Sequence, residues 1–121
     1  MKIVRVDEVA GQRGTTFTGN VTLKRVVEFQ QEGGMNVSLV RFEDGARTNW
    51  HFHPGEQILI VVEGECRVGT ETEEHLHIGP GSVIYLPPNE RHWHGAMPGG
   101  TMAHYSITNI GSPTWQEAPT D

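Results

Sequence analysis

Fifteen glycines and seven prolines punctuate this 121-residue chain, so closely that few windows could hold a long uninterrupted helix. A helical bundle is thereby disfavoured. The apolar residues between these breakers fall in short runs, as short strands require. Hydrophobic residues make up 36 % of the chain, enough for one small core, and the length leaves no room for a second full-sized one.

Along residues 20–29, Val21, Leu23, Val27 and Phe29 share one parity, and Thr22, Lys24, Glu28 and Gln30 the other. That alternation predicts a half-buried strand. A Gly33-Gly34 turn precedes a strand over 35–42, and Glu43-Asp44-Gly45 reads as a turn into a strand over 48–53. Residues 57–62 are apolar on both parities, as an inner strand would be. A hairpin over 65–68 and 73–78, then strands over 82–86, 91–95 and 101–110, complete the pattern, with an N-terminal arm over 1–19 and a polar tail over 111–121. Many short strands with turns between them predict an all-β, single-domain antiparallel barrel or jelly roll.

The net charge of −6 and the scattered Lys and Arg residues offer no basic stripe to phosphates, so nucleic-acid binding is not expected. The longest purely apolar run, 58–62, falls far short of the roughly 20 residues that cross a bilayer. With no apolar leader-like segment at the N-terminus, the chain reads as cytoplasmic. Cys66 is the only cysteine, which excludes an intrachain disulfide; a small buried apolar role suits it.

All seven histidines lie between residues 51 and 104. On a strand, residues i and i+2 face the same side, so His51 and His53 can converge on one metal ion. Gln57 can add an amide oxygen from the next strand, and His92 can close the shell from a distant one. His94 shares the parity of His92, and His104, Ser106 and Thr108 make one unusually polar strand face. Ser38, Val40 and Leu59 are expected to line the same substrate pocket. His75 and His77 repeat the His-x-His spacing among Glu71, Glu73 and Glu74 with no converging partner, and read as a solvated edge. Trp50, Phe52 and Trp93 alternate with the ligand candidates and point away from them, toward a second sheet or a partner subunit, so a homodimer is expected. Arg47 is expected to form a salt bridge near the barrel mouth.

Gly45, five residues, His51-x-His53, three residues, Gln57, six residues and Gly64 together resemble the first motif of the cupin superfamily, with Gln where Glu is usual. Gly81, five residues, Pro87 and His92 resemble the second, with Asn89 where Gly is usual and Ala96 where Asn is usual. More narrowly, residues 45–61 and 91–108 resemble small single-domain cupins that include bacterial manganese-dependent hydroxynitrile lyases, and a zinc-containing polyketide cyclase is similar in its Gln and His ligands. The resemblance implies one divalent transition metal held by His51, His53, Gln57 and His92, with manganese favoured over iron, zinc, nickel or cobalt. It also implies that His104, or His94, serves as a general acid or base.

This ligand set is neutral and leaves the ion its full charge, which suits Lewis-acid chemistry on a small molecule: a lyase such as a hydroxynitrile lyase, or a cyclase or isomerase. A cupin dioxygenase and a non-catalytic metabolite-binding protein are the alternatives; the first is disfavoured because no carboxylate completes a facial triad.

Overall fold

A computed structural model describes residues 1–120. A single 3-10 turn, Val6–Glu8, precedes eleven strands: β1 (Gln12–Arg13), β2 (Phe17–Val27), β3 (Met35–Thr48), β4 (His51–Phe52), β5 (Gln57–Glu63), β6 (Cys66–Thr70), β7 (Glu74–Ile78), β8 (Val83–Leu86), β9 (His92–Ala96), β10 (Met102–Asn109) and β11 (Thr114–Trp115). No helix among the described residues is long and apolar enough to cross a membrane.

The strands pair antiparallel throughout, in the order β11-β4-β9-β3-β10-β5-β8, with β1 and β2 added beside β3 and β7 and β6 beside β9. The sheet curls into a half-barrel because β3 serves both flanks. Its first part pairs with β2 and β10, and Arg47 near its end pairs with Gly95 of β9. The turn expected at residues 43–45 is therefore not a reversal. Asp44 (φ 48°) and Gly45 (φ 73°) kink a continuous strand, and Gly45 N–H donates to Gly100 O at 3.0 Å, fixing the corner. A left-handed pair serves a bulge as well as a turn, so the breakers marked the bend but not its sense.

The expected strand over 48–53 shrinks to β4, and the arm and tail are more ordered than polarity suggests: β1 pairs with β2, and β11 pairs with β4. Gly69, expected in a turn, lies within β6, where a Cβ would stand 2.4 Å from Trp93 Nε1. Trp93 itself is only 5 % exposed. The Arg47 and Arg67 guanidinium groups lie 5.1 and 5.5 Å from its ring. Trp50 is half-buried beneath Arg91, 4.1 Å away. Residues of this chain thus cover much of what was expected to need a second sheet or a partner.

The interior is graded from apolar to polar. Val21, Phe42, Val61, Cys66, Ala96 and Met102 are completely buried in one cluster, and burial pushes the Cys66 thiol up to about 12. Along β5 the inward residues run from Val61 through Leu59 to Gln57, and along β10 from His104 through Ser106 to Thr108. The polar end of this gradient holds His51, His53 and His92, while His104 pairs with Val61 at the apolar end, against Phe42.

Candidate functional site

His51 and His92 face each other in register across β4 and β9, and His53 and Gln57 flank the turn that leads into β5. All four side chains are buried. One ring nitrogen from each of His51, His53 and His92 lies within 4.8 Å of the others, a spacing that can hold a metal ion. Two of these rings are oriented by the main chain: His51 Nδ1–H donates to Asn49 O at 2.9 Å, and His92 Nδ1–H donates to Glu90 O at 2.8 Å. Their Nε2 atoms are left with lone pairs for a cation.

Burial holds these imidazoles neutral. Desolvation, reinforced by neighbouring His92, lowers His51 from 6.5 to about 3. Desolvation lowers His92 to about 4, and it also lowers His53, against opposing hydrogen bonds with Gly55 and Gln57. Neutral imidazole is the ligating form.

Gln57 Nε2 donates to Ser106 Oγ at 2.8 Å, which turns its Oε1 to within 3.0 Å of His92 Nε2. A neutral His92 that donates through Nδ1 has no proton on Nε2, so two lone-pair atoms face each other. A cation between them relieves that conflict. The donor set therefore fits a divalent ion on its own chemistry, and the group able to hold one contains no carboxylate among the described residues.

Asn89, standing where glycine is usual, adopts φ 65°, a left-handed conformation that Asn tolerates better than most residues. Its N–H donates to His53 O at 2.8 Å, so the turn ties two ligand-bearing segments together.

Beside this group, His94 and His104 form a buried pair, with His104 Nε2 2.9 Å from His94 Nδ1. Phe42 lies against both rings, at 5.9 and 5.2 Å. Desolvation, then the neighbouring histidines, hold His94 well below 6.5, and burial takes His104 to about 4. His94 Nε2 and His104 Nδ1 are buried with no partner.

A cavity of about 840 Å³ opens over the site, lined by His51, His53, Gln57 and His94 and walled by Ser38, Val40, Ser106 and Thr108. Leu59 and His104 do not line it. Leu59 is fully buried in the barrel, and His104 stands behind His94, so the cavity-facing member of the pair is His94. His75 and His77 are exposed beside Glu73 and Glu65 at 3.5 and 3.4 Å. Arg47 donates through Nη2 to Pro119 O at 3.0 Å.

Trp115 and Arg25 are among the cavity residues that escaped the sequence reading. Trp115 of β11 lines the cavity, its ring 4.3 Å from that of His51. A two-residue strand has no periodicity to reveal it. Arg25 shares the inward parity of Val21, Leu23 and Val27 and also lines the cavity; the one charge on that otherwise apolar face was the available signal.

A family model described as Cupin domain matches residues 38–107. The chain is 41 % identical over 113 residues to (R)-mandelonitrile lyase of Granulicella tundricola, covering 88 % of this chain and 83 % of that one. Among solved structures, a cupin-like protein of Thermotoga maritima superposes with a TM-score of 0.86 at 37 % identity, covering 92 % of this chain and 88 % of the other. The polyketide cyclase RemF of Streptomyces resistomycificus shares the fold, with a TM-score of 0.78 at 21 % identity over 100 % of this chain and 87 % of its own. With both motif regions in place around three converging imidazoles, the chain belongs to the cupin family.

Proposed function

We propose that this protein is a metal-dependent lyase that cleaves small α-hydroxynitriles of the mandelonitrile type into a carbonyl compound and hydrogen cyanide. The observation that carries the reading is His94, which lines a cavity together with His51, His53 and Gln57 and keeps a buried Nε2 with no hydrogen-bond partner. Likeness to a named lyase over most of both chains supports it. His51, His53, His92 and Gln57 would hold a divalent first-row ion, manganese first by the family resemblance. Such an ion, when bound, supplies Lewis-acid polarisation of the substrate oxygen.

The chain's own residues do the proton work. His94 Nε2 takes the hydroxyl proton, the O–H pair becomes the carbonyl π bond, and the C–C bond breaks with its pair on cyanide. The same imidazole then returns the proton to cyanide, so atoms and charge balance. For His94 to act through Nε2, its Nδ1 must carry the hydrogen and donate to His104 Nε2, 2.9 Å away. His104 is then a positioning residue that fixes the tautomer and supports the transient imidazolium. The oxygenase reading ranks lower because the metal-capable group contains no carboxylate among the described residues.

Elemental analysis of the purified protein, followed by mandelonitrile cleavage before chelation, after it and with manganese restored, tests the proposal. Activity that disappears with the metal and returns with it is expected. Full activity in the stripped protein, or none in the restored protein, overturns it.

A further inference from the structure

Every other inward residue on β2 is apolar, yet Arg25 lines the cavity between Leu23 and Val27. The bulge between Arg25 and Val27 marks the same place. Arg25 is paired in register with Ser38, Ser38 with Ser106, and Ser106 Oγ accepts a hydrogen bond from the Gln57 amide Nε2. A polar track thus crosses three strands from the cavity rim to the candidate metal ligands. At about 4.8 Å per strand, Arg25 starts about 10 Å from Ser106, and its long side chain shortens the gap.

Arg13 of β1 lines the same rim. Neither guanidinium has a hydrogen-bond or ion-pair partner among the described residues, although Glu28 also borders the cavity. Two of the nine basic side chains of an acidic protein therefore face one cavity. A guanidinium fork matches a carboxylate with two parallel hydrogen bonds, and the field of a cleft concentrates anions in it.

We propose that Arg25, assisted by Arg13, forms an anion subsite at the cavity rim, and that the substrate of this centre carries a carboxylate on the side of the molecule away from its reacting carbon. This names the substrate class of the lyase reading and rests on it for the reaction, while the anion subsite itself can be tested by binding alone. A benzoate-type acid with its reacting group para to the carboxylate has a length suited to the track.

The test uses metal-loaded protein and two probes, 4-formylbenzoate and benzaldehyde, titrated by calorimetry, together with cleavage of the two corresponding cyanohydrins. The carboxylate probe should bind at least about tenfold tighter than benzaldehyde, as charge-assisted hydrogen bonds allow. Arg25→Gln should remove most of that preference, Arg13→Gln a smaller part, and Arg25→Lys should retain an intermediate share. Because the rim is exposed, the preference should shrink between 50 mM and 500 mM salt, roughly spanning Debye lengths of about 14 to 4 Å. A preference unchanged in Arg25→Gln places the carboxylate elsewhere, on the metal for instance, and overturns the proposal, as does equal binding of both probes to the parent. If 4-formylbenzoate binds in an Arg25-dependent way but neither cyanohydrin is cleaved, the lyase reading fails and the anion subsite stands.

Discussion

The chain contains two His-x-His pairs with identical local spacing and opposite surroundings. His51 and His53 are 1 % and 3 % exposed and converge with His92, whereas His75 and His77 lie in the open on β7. Spacing alone does not separate them. The first pair faces the barrel interior and meets a third imidazole that β9 delivers in register. In the second, His77 takes φ 55°, and the β6–β7 ladder slips between Cys66 and Val68. The i, i+2 rule presupposes regular strand geometry, and a left-handed residue in the pair breaks it.

The sharpest attack on this contrast removes one ring from each pair. His51→Ala should lower metal content by mass spectrometry from about one ion per chain to below about a tenth, since a three-imidazole site loses a donor that burial had kept neutral. The double change His75→Ala with His77→Ala should leave metal content as it was. Metal lost from the second variant would erase the distinction.

Next in size is His104→Gln, which should keep the metal and lower mandelonitrile turnover by about 10²-fold, the low end of acid-base contributions. His104→Ala should also reduce the melting temperature, because the ring is completely buried against Phe42. Turnover at the parental rate in the Gln variant would mean that His94 needs no positioning by His104.

Protons themselves probe the buried set. With folded values near 3 for His51 and near 4 for His92, against 6.5 ordinarily, the unfolded chain binds more protons between pH 6.5 and 4. Stability of the metal-free protein is therefore unpenalised above pH 6.5 and falls as the pH drops toward 4, by up to about 1.4 kcal/mol per pH unit for each such group. Urea titrations at pH 7.5 and 5.0 should show the midpoint falling; a rise on acidification would contradict neutral burial.

The smallest effect is expected from Ser106→Ala, which releases the Gln57 amide without touching an imidazole. Metal affinity in a competitive chelator titration should weaken by about tenfold, as loss of a supporting hydrogen bond typically costs. Unchanged affinity would mean that Gln57 does not contribute a donor.

How much of this was legible before any fold was seen differs by region. The strands and the converging histidines follow from alternation and from two spaced motifs, because burial on one face imposes a period that sequence retains. The continuation of β3 through Asp44 and Gly45 does not, since its direction is settled by the bond to Gly100 across the barrel. The tail was legible only as polar. It docks by main-chain bonds, Trp50 N–H to Glu117 O and Gln116 N–H to Trp50 O, and by the Arg91 guanidinium, which donates to Gln116 Oε1 and Glu117 Oε1; none of these contacts imposes a periodic pattern. Arg25 was visible as an anomaly, a charge among apolar neighbours, but its meaning depended on a cavity that only the pairing of β2 with β3 creates.

The carbonyls that orient His51 and His92 belong to Asn49 and Glu90, and both act through the main chain. Side-chain identity at these two positions is therefore uncoupled from ring orientation, so substitutions there can accumulate without disturbing the donors. The centre is in this sense inherited as a path of the backbone, tolerant of mutational drift immediately beside its most constrained residues.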